Sequence, residues 1–162
     1  MTIHQVSEAP VQLSGPLLRY GLVPVHGYDI AAATVAAMLD GVHGNGQRAR
    51  VLGPGEPVPY GAQPVMVAPT TVFATIAVER MLMEWPPGVP RPWLVLVADV
   101  PAPPPPAARY RTRALGARLA GIARVPYLPV LRAVESPEAA LTYAEVVRAA
   151  AKLCRQMEGK TK

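Results

Sequence analysis

Two runs in this sequence have no polar position: PVMVA at 64–68 and WLVLVA at 93–98. A strand with one face in water alternates polar and apolar residues, so strands apolar throughout read as buried on both faces. Segments with helical recurrence of apolar residues lie between and after them. Strand and helix patterns that alternate along a chain give a mostly parallel sheet with helices on both sides. The expected fold class is therefore α/β, a three-layer α/β/α arrangement. At 162 residues the chain is one domain's worth, enough for a core without disulfide or metal staples. Its 20 prolines are about 12% of the chain against a usual ~5%, and they fall mostly between the periodic segments, as rigid connectors.

Residues 1–20 show no sustained period and read as a lead-in arm, 21–158 as one domain, and 159–162 as a short basic tail. Gly21–Val25 is the first strand. Asp29 caps a helix from Ile30 to Leu39 that Gly41 stops, with Ile30, Ala33, Ala37 and Met38 on its apolar face. Arg48–Leu52 is a short second strand, and 53–63 is a Pro/Gly connector that cannot hold regular structure. After the third strand, Pro64–Ala68, Thr70 or Thr71 caps a helix reaching about Glu84. Its expected stripe is Val72, Ile76, Ala77, Arg80 and Met83. The fourth strand, Trp93–Ala98, leads into PAPPPP at 101–106, a stiff polyproline connector. A helix follows over about Ala107–Ala120, with Leu115, Leu119 and Ile122 on one stripe. ARVPYLPVLR at 123–132 reads as a broken strand or extended passage. Ser136, Pro137 and Glu138 open a last long helix closed by Gly159. Its stripe is Ala140, Ala144, Val147, Ala151, Cys154 and Met157.

The first strand–turn–helix is the setting of a phosphate-binding loop, G-x-x-x-x-G-K-[ST]. Laid on Gly27, the template fits at its first position and at Thr34, its last. Ala32 and Ala33 stand where it needs Gly and Lys, and Asp29 adds a negative charge inside the turn. Such a loop works through inward N–H groups and a lysine charge at the outer phosphates, so its chemistry is eroded here. Thr34 could still bind magnesium; without the lysine, a bond to a backbone carbonyl of its own helix is the plainer reading. In a parallel sheet, ligands bind beyond the C-terminal strand ends, so Gly27, Ala68–Pro69 and Asp99 should meet at one edge.

Other chemistry has little support. The histidines, His4, His26 and His43, have no metal-ligand spacing, and the lone Cys154 excludes an intrachain disulfide or a zinc cluster. Cys154 reads as a buried, inert core residue. His26 either touches a phosphate or makes a local hydrogen bond in its loop. The serines Ser7, Ser14 and Ser136 lie in no nucleophile elbow. Asp99 either reads a base edge or caps a turn. No secretory leader pattern opens the sequence, and the longest mostly apolar run, Val65–Val78, is too short to span a membrane. A cytoplasmic protein without a membrane span is expected.

The formal net charge is +5, and its distribution matters more. Between Val100 and Val134 there are six arginines and no acidic residue. Arg109 and Arg113 lie one helical turn apart, and Arg111 and Arg118 share another face. The plain reading is a solvated helix face. The functional one is a surface, centred on Arg109, Arg113 and Arg118, for an acidic protein partner. Without aromatic interleaving or amide side chains, DNA binding there would be non-specific.

The order of these pieces resembles the ParA/MinD branch of the P-loop ATPases. That family closes with an apolar strand, a stretch I-P-Y-D-x-x-hydrophobic-R-x-A and a long amphipathic helix. The matching residues are Val125, Pro126, Tyr127, Val130, Leu131, Arg132 and Ala133, then 136–157. WLVLVAD resembles the strand whose end approaches the nucleotide base, and GLVPVHG with AAAT an eroded Walker A region. The composition is also similar to TadZ-like, actinobacterial proteins of this build beside secretion or conjugation genes. The departures are the missing loop lysine, the missing D-x-x-[GP] switch and a shorter chain. The resemblance implies a reduced P-loop-like fold and a degenerate nucleotide crevice of Gly27, Tyr28, Ala32, Ala33, Thr34, Asp99, Pro126 and Tyr127. It implies a non-catalytic, homodimeric adaptor for secretion, conjugation or partition machinery, with no cofactor. The alternative is a nucleotide- or phosphate-ligand-binding protein, a weak magnesium–ATP binder or NTPase, using the same crevice.

Overall fold

Along the third strand, successive side chains enter two different cores. Val65 and Val67 pack on one side of the sheet, Met66 and Ala68 on the other. Val95 and Val97 alternate with Leu94 and Leu96 in the same way one strand further on. That is the two-sided burial which strands without a polar face require. The computed structural model describes residues 17–41 and 44–159. Most of the lead-in arm, three residues of the basic tail, and His4, His43, Ser7 and Ser14 lie outside them.

The sheet has five parallel strands: β1 (Tyr20–Pro24), β2 (Ala49–Val51), β3 (Gln63–Pro69), β4 (Trp93–Val97) and β5 (Gly121–Val125), in the order β2-β1-β3-β4-β5. Helices α1 (Ile30–Asp40), α4 (Pro137–Ala140) and α5 (Ala144–Glu158) cover one face, and α2 (Val72–Met83) and α3 (Pro106–Ala114) the other. The chain is thus a three-layer α/β/α domain with an all-parallel sheet. No helix forms between β2 and β3, where the Pro/Gly connector runs. In the β4–β5 register Gly121 faces Trp93, and a Cβ on Gly121 would lie 2.4 Å from the indole ring, so any larger residue would have to displace that ring.

The helix starts follow their caps: Asp29 accepts from the N–H of Ala32, Thr71 from that of Ala74, and Ser136 from that of Ala139. The helix faces depart from expectation. In α1, every residue from Ala32 to Asp40 except Ala37 is buried, because the helix is enclosed by the sheet, α4 and α5. Ile30 and Ala37 are only half-buried. In α2 the stripe against the sheet is Ala74, Thr75, Val78 and Leu82, while Arg80 and Met83 are exposed. Two apolar stripes compete on this helix, and the one with small residues allows the closer approach.

The third helix ends at Ala114 and not at Ala120. A 3-10 turn at Gly116–Arg118 follows, with Leu115 and Leu119 buried and Ile122 already on β5. Arg118 therefore shares no helix face with Arg111. Beyond β5, Pro129–Arg132 forms a second 3-10 turn where a broken strand or extended passage was expected. The last helix is divided by residues 141–143, where the hydroxyl of Thr142 donates to the carbonyl of Ala139. The break resets the phase. Val146, Ala149 and Leu153 are buried, whereas Ala144, Val147 and Ala151 are exposed.

Two polar anchors fix the ends of the α1 layer. Asp40, buried at the end of α1, accepts from the N–H groups of Gly46, Arg48 and Ala49, which ties the loop and β2 to the helix. Glu158 at the end of α5 takes the Tyr20 hydroxyl at 3.1 Å and the guanidinium groups of Arg19 and Arg48 at 3.5 Å. Burial, then the charge of Glu158, pushes the Tyr20 phenol up. Cys154 is half-buried, its thiol pointing to the carbonyl of Met38 at 3.7 Å and pushed up by burial.

Candidate functional site

The strand order makes β1 and β3 neighbours whose onward connections leave in opposite directions, to β2 and to β4. A crevice opens at such a switch point beyond the C-terminal strand ends. Here it has a volume of about 210 Å³. The start of α1 forms one wall with Asp29, Ile30 and Ala31. The ends of β3 and β4, through Pro69 and Asp99, form the floor. The segment after β5 closes it with Tyr127, Leu128, Leu131 and Arg132. The surface is mainly apolar, with two carboxylates and one guanidinium.

Both carboxylates are engaged. Asp29 Oδ1 accepts from the backbone N–H of Ala32 at 2.7 Å. The N–H of Ala33 goes to the Asp29 carbonyl at 3.0 Å. The N–H of Ala32, at the positive dipole end, is thus met by the chain's own carboxylate, while that of Ala33 makes the first ordinary backbone bond of the helix. Asp99 Oδ1 accepts from the hydroxyl of Thr70 at 2.9 Å, which joins the ends of β3 and β4. This bond is to a side chain on the neighbouring strand and not to the backbone of a turn, as a turn cap would make.

A second cleft, about 510 Å³, adjoins the first loop and is lined by Val23, Pro24, Gly27, Tyr28 and residues 51–56. Gly27 has φ of +89°, a turn conformation that side chains rarely adopt. The cation beside this cleft, Arg50, is also neutralised from within. Its guanidinium donates to both oxygens of Glu56, at 3.0 and 2.6 Å, and the N–H of Gly53 adds a third bond. The Arg50 fork holds the Glu56 carboxyl down at about 2.

The expected site residues therefore separate. Asp99 and Tyr127 meet in the crevice. Gly27 and Tyr28 belong to the adjoining cleft, with Tyr28 exposed. Ala32, Ala33 and Thr34 are buried within α1 and line neither space, and Pro126 is exposed outside both. The Thr34 hydroxyl makes no bond to its own helix; among the described residues it has no partner. His26 stacks on Phe73, ring centroids 5.2 Å apart, in place of the local hydrogen bond expected. Arg132 joins the crevice although the sequence assigned it only a motif position, and Asp29, expected as a cap and as a negative charge inside the turn, lines it as well.

Arg109, Arg113 and Arg118 are exposed, and no carboxylate pairs with them among the described residues. Arg111 differs: it pairs with Glu79 of α2 at 3.0 Å, a carboxylate distant in sequence. Among the described residues no group of His, Cys, Asp and Glu could hold a metal, and no helix is long and apolar enough to cross a membrane. No family model, no curated protein and no solved structure matches this chain.

Proposed function

We propose that this chain is a non-catalytic scaffold protein on a nucleotide-type α/β/α fold, whose phosphate position is filled from within. One observation carries the reading: the Asp29 carboxylate sits on the Ala32 N–H at the start of α1. A triphosphate brought there would meet a carboxylate where it needs donors, and no lysine offsets the repulsion. Magnesium nucleotide does not fit these residues, since Thr34 is buried away from the crevice and Arg132 is its one cation. A fold kept without its phosphate chemistry serves through its surface, as an adaptor in a larger secretion, conjugation or partition assembly. The degenerate ParA/MinD resemblance supports that setting by analogy of fold alone.

The same edge suits self-association. Tyr28 stands exposed beside Gly27, free to anchor a second copy across the strand ends. Calorimetric titration with magnesium ATP and magnesium GTP tests the reading. No saturable heat at millimolar nucleotide and no phosphate release above background are expected. Stoichiometric binding that Arg132→Ala abolishes would replace the scaffold reading with a nucleotide-binding one.

A further inference from the structure

The helix layer formed by α2 and α3 keeps an outer face that this domain does not use. Of the α2 stripe expected to pack on the sheet, Arg80 and Met83 remain outside it, and the same helix leaves Phe73 75% and Met83 70% exposed. On α3, Tyr110 is 71% exposed. Arg109 and Arg113 follow beside it, one turn apart, with Pro106 completing a small cleft of about 190 Å³. The Arg111–Glu79 ion pair links the two helices into one platform. It also uses up Glu79, so Arg80, Arg109 and Arg113 have no carboxylate partner among the described residues.

We propose that this face docks an acidic amphipathic helix of a partner protein, with Phe73, Met83 and Tyr110 receiving its apolar stripe and Arg109 and Arg113 its carboxylates. The inference deepens the scaffold reading above and rests on it. Charge selects the occupant. Arg109 and Arg113 lie beside Tyr110 on α3, where a helix laid on the apolar side chains would direct its acidic edge. A second copy suits the face poorly, since two-fold pairing brings the same unneutralised arginines together. Nucleic acid suits it less well, because Phe73 and Met83 offer nothing to phosphates and would be covered at a loss of contact.

Fluorescence anisotropy with two labelled synthetic helices of about 18 residues, five turns, tests this. Both carry the same leucine stripe; the remaining positions are Glu in one and Lys in the other. The Glu peptide is expected to bind wild-type protein at least about tenfold more tightly than the Lys peptide. Arg109→Glu with Arg113→Glu should weaken it by about tenfold or more, and Met83→Gln by several-fold. These positions are exposed, and circular dichroism verifies that each variant folds. Equal binding of the two peptides, or none at about 1 mM, overturns the proposal. So does a salt-sensitive complex with a short DNA duplex, lost in the double variant while peptide binding is unchanged. A dimer in light scattering that the double variant dissolves would assign the face to a second copy and likewise overturn it. Titration of the same samples with magnesium ATP reads the crevice alone. Nucleotide binding alongside the expected peptide result sinks the scaffold reading and leaves the docking face standing.

Discussion

Thr34→Val is predicted to stabilise the protein. Thr34 is 1% exposed, and its hydroxyl has no partner among the described residues. Leaving a buried hydroxyl unpaired costs about 1–3 kcal/mol, and exchanging it for a methyl adds roughly 0.8 kcal/mol of apolar burial. Valine and threonine have nearly equal helix propensity, so the backbone contributes little. Local relaxation takes back part of the gain, leaving a net of about 1–2 kcal/mol. In urea unfolding, with a slope near ~2 kcal/mol/M, the midpoint should rise by roughly 0.5–1 M at unchanged slope. Thr34→Ser keeps the hydroxyl and removes the methyl, so it should lower stability by about 1 kcal/mol. Loss of about 1 kcal/mol or more in Thr34→Val would refute the reasoning, because it would show the hydroxyl bonded in the folded state.

The phase of α5 separates two residues of similar chemistry. Leu153→Ala should cost about 2–5 kcal/mol because Leu153 is fully buried, and exposed Val147→Ala should stay within about 0.5 kcal/mol; the reverse order in urea unfolding would restore the continuous-helix register. Installing the template lysine, Ala33→Lys, should destabilise the domain by roughly 3 kcal/mol or more without creating ATPase activity, since Ala33 is buried and the charge would be too; a stable variant with nucleotide turnover contradicts this. Glu56 has its folded pKa depressed to about 2 from an ordinary 4.5, so its bond to Arg50 is fully present above about 4.5 and lost as pH falls through about 2. An NMR titration of the Glu56 carboxyl carbon should show that low midpoint, and an ordinary carboxylate midpoint would mean the fork is open in solution.

The strands were legible because burial on both faces leaves no polar position to hide the pattern, as in WLVLVA. Capping residues were legible because Asp29, Thr71 and Ser136 act within one turn of themselves. Helix faces were not. An alanine-rich helix such as α1 carries no contrast between sides, and α2 has two apolar stripes, of which packing chooses one. Nothing at Leu141, Thr142 or Tyr143 resembles a helix breaker, so the division before α5 was invisible. The site suffered most, because its bonds are long-range. Thr70 meets Asp99 across two strands, Arg111 meets Glu79 across two helices, and Arg132 enters the crevice from the far side of β5.

The central claim is that the Asp29 carboxylate occupies the Ala32 N–H at the start of α1. The amide resonance of Ala32 reports on that donor directly. Titrated with magnesium ATP in a two-dimensional ¹⁵N–¹H spectrum, it should stay in place at nucleotide concentrations well above those that saturate an ordinary phosphate loop. Saturable displacement of that resonance would show that a phosphate displaces the Asp29 carboxylate, and would contradict the account.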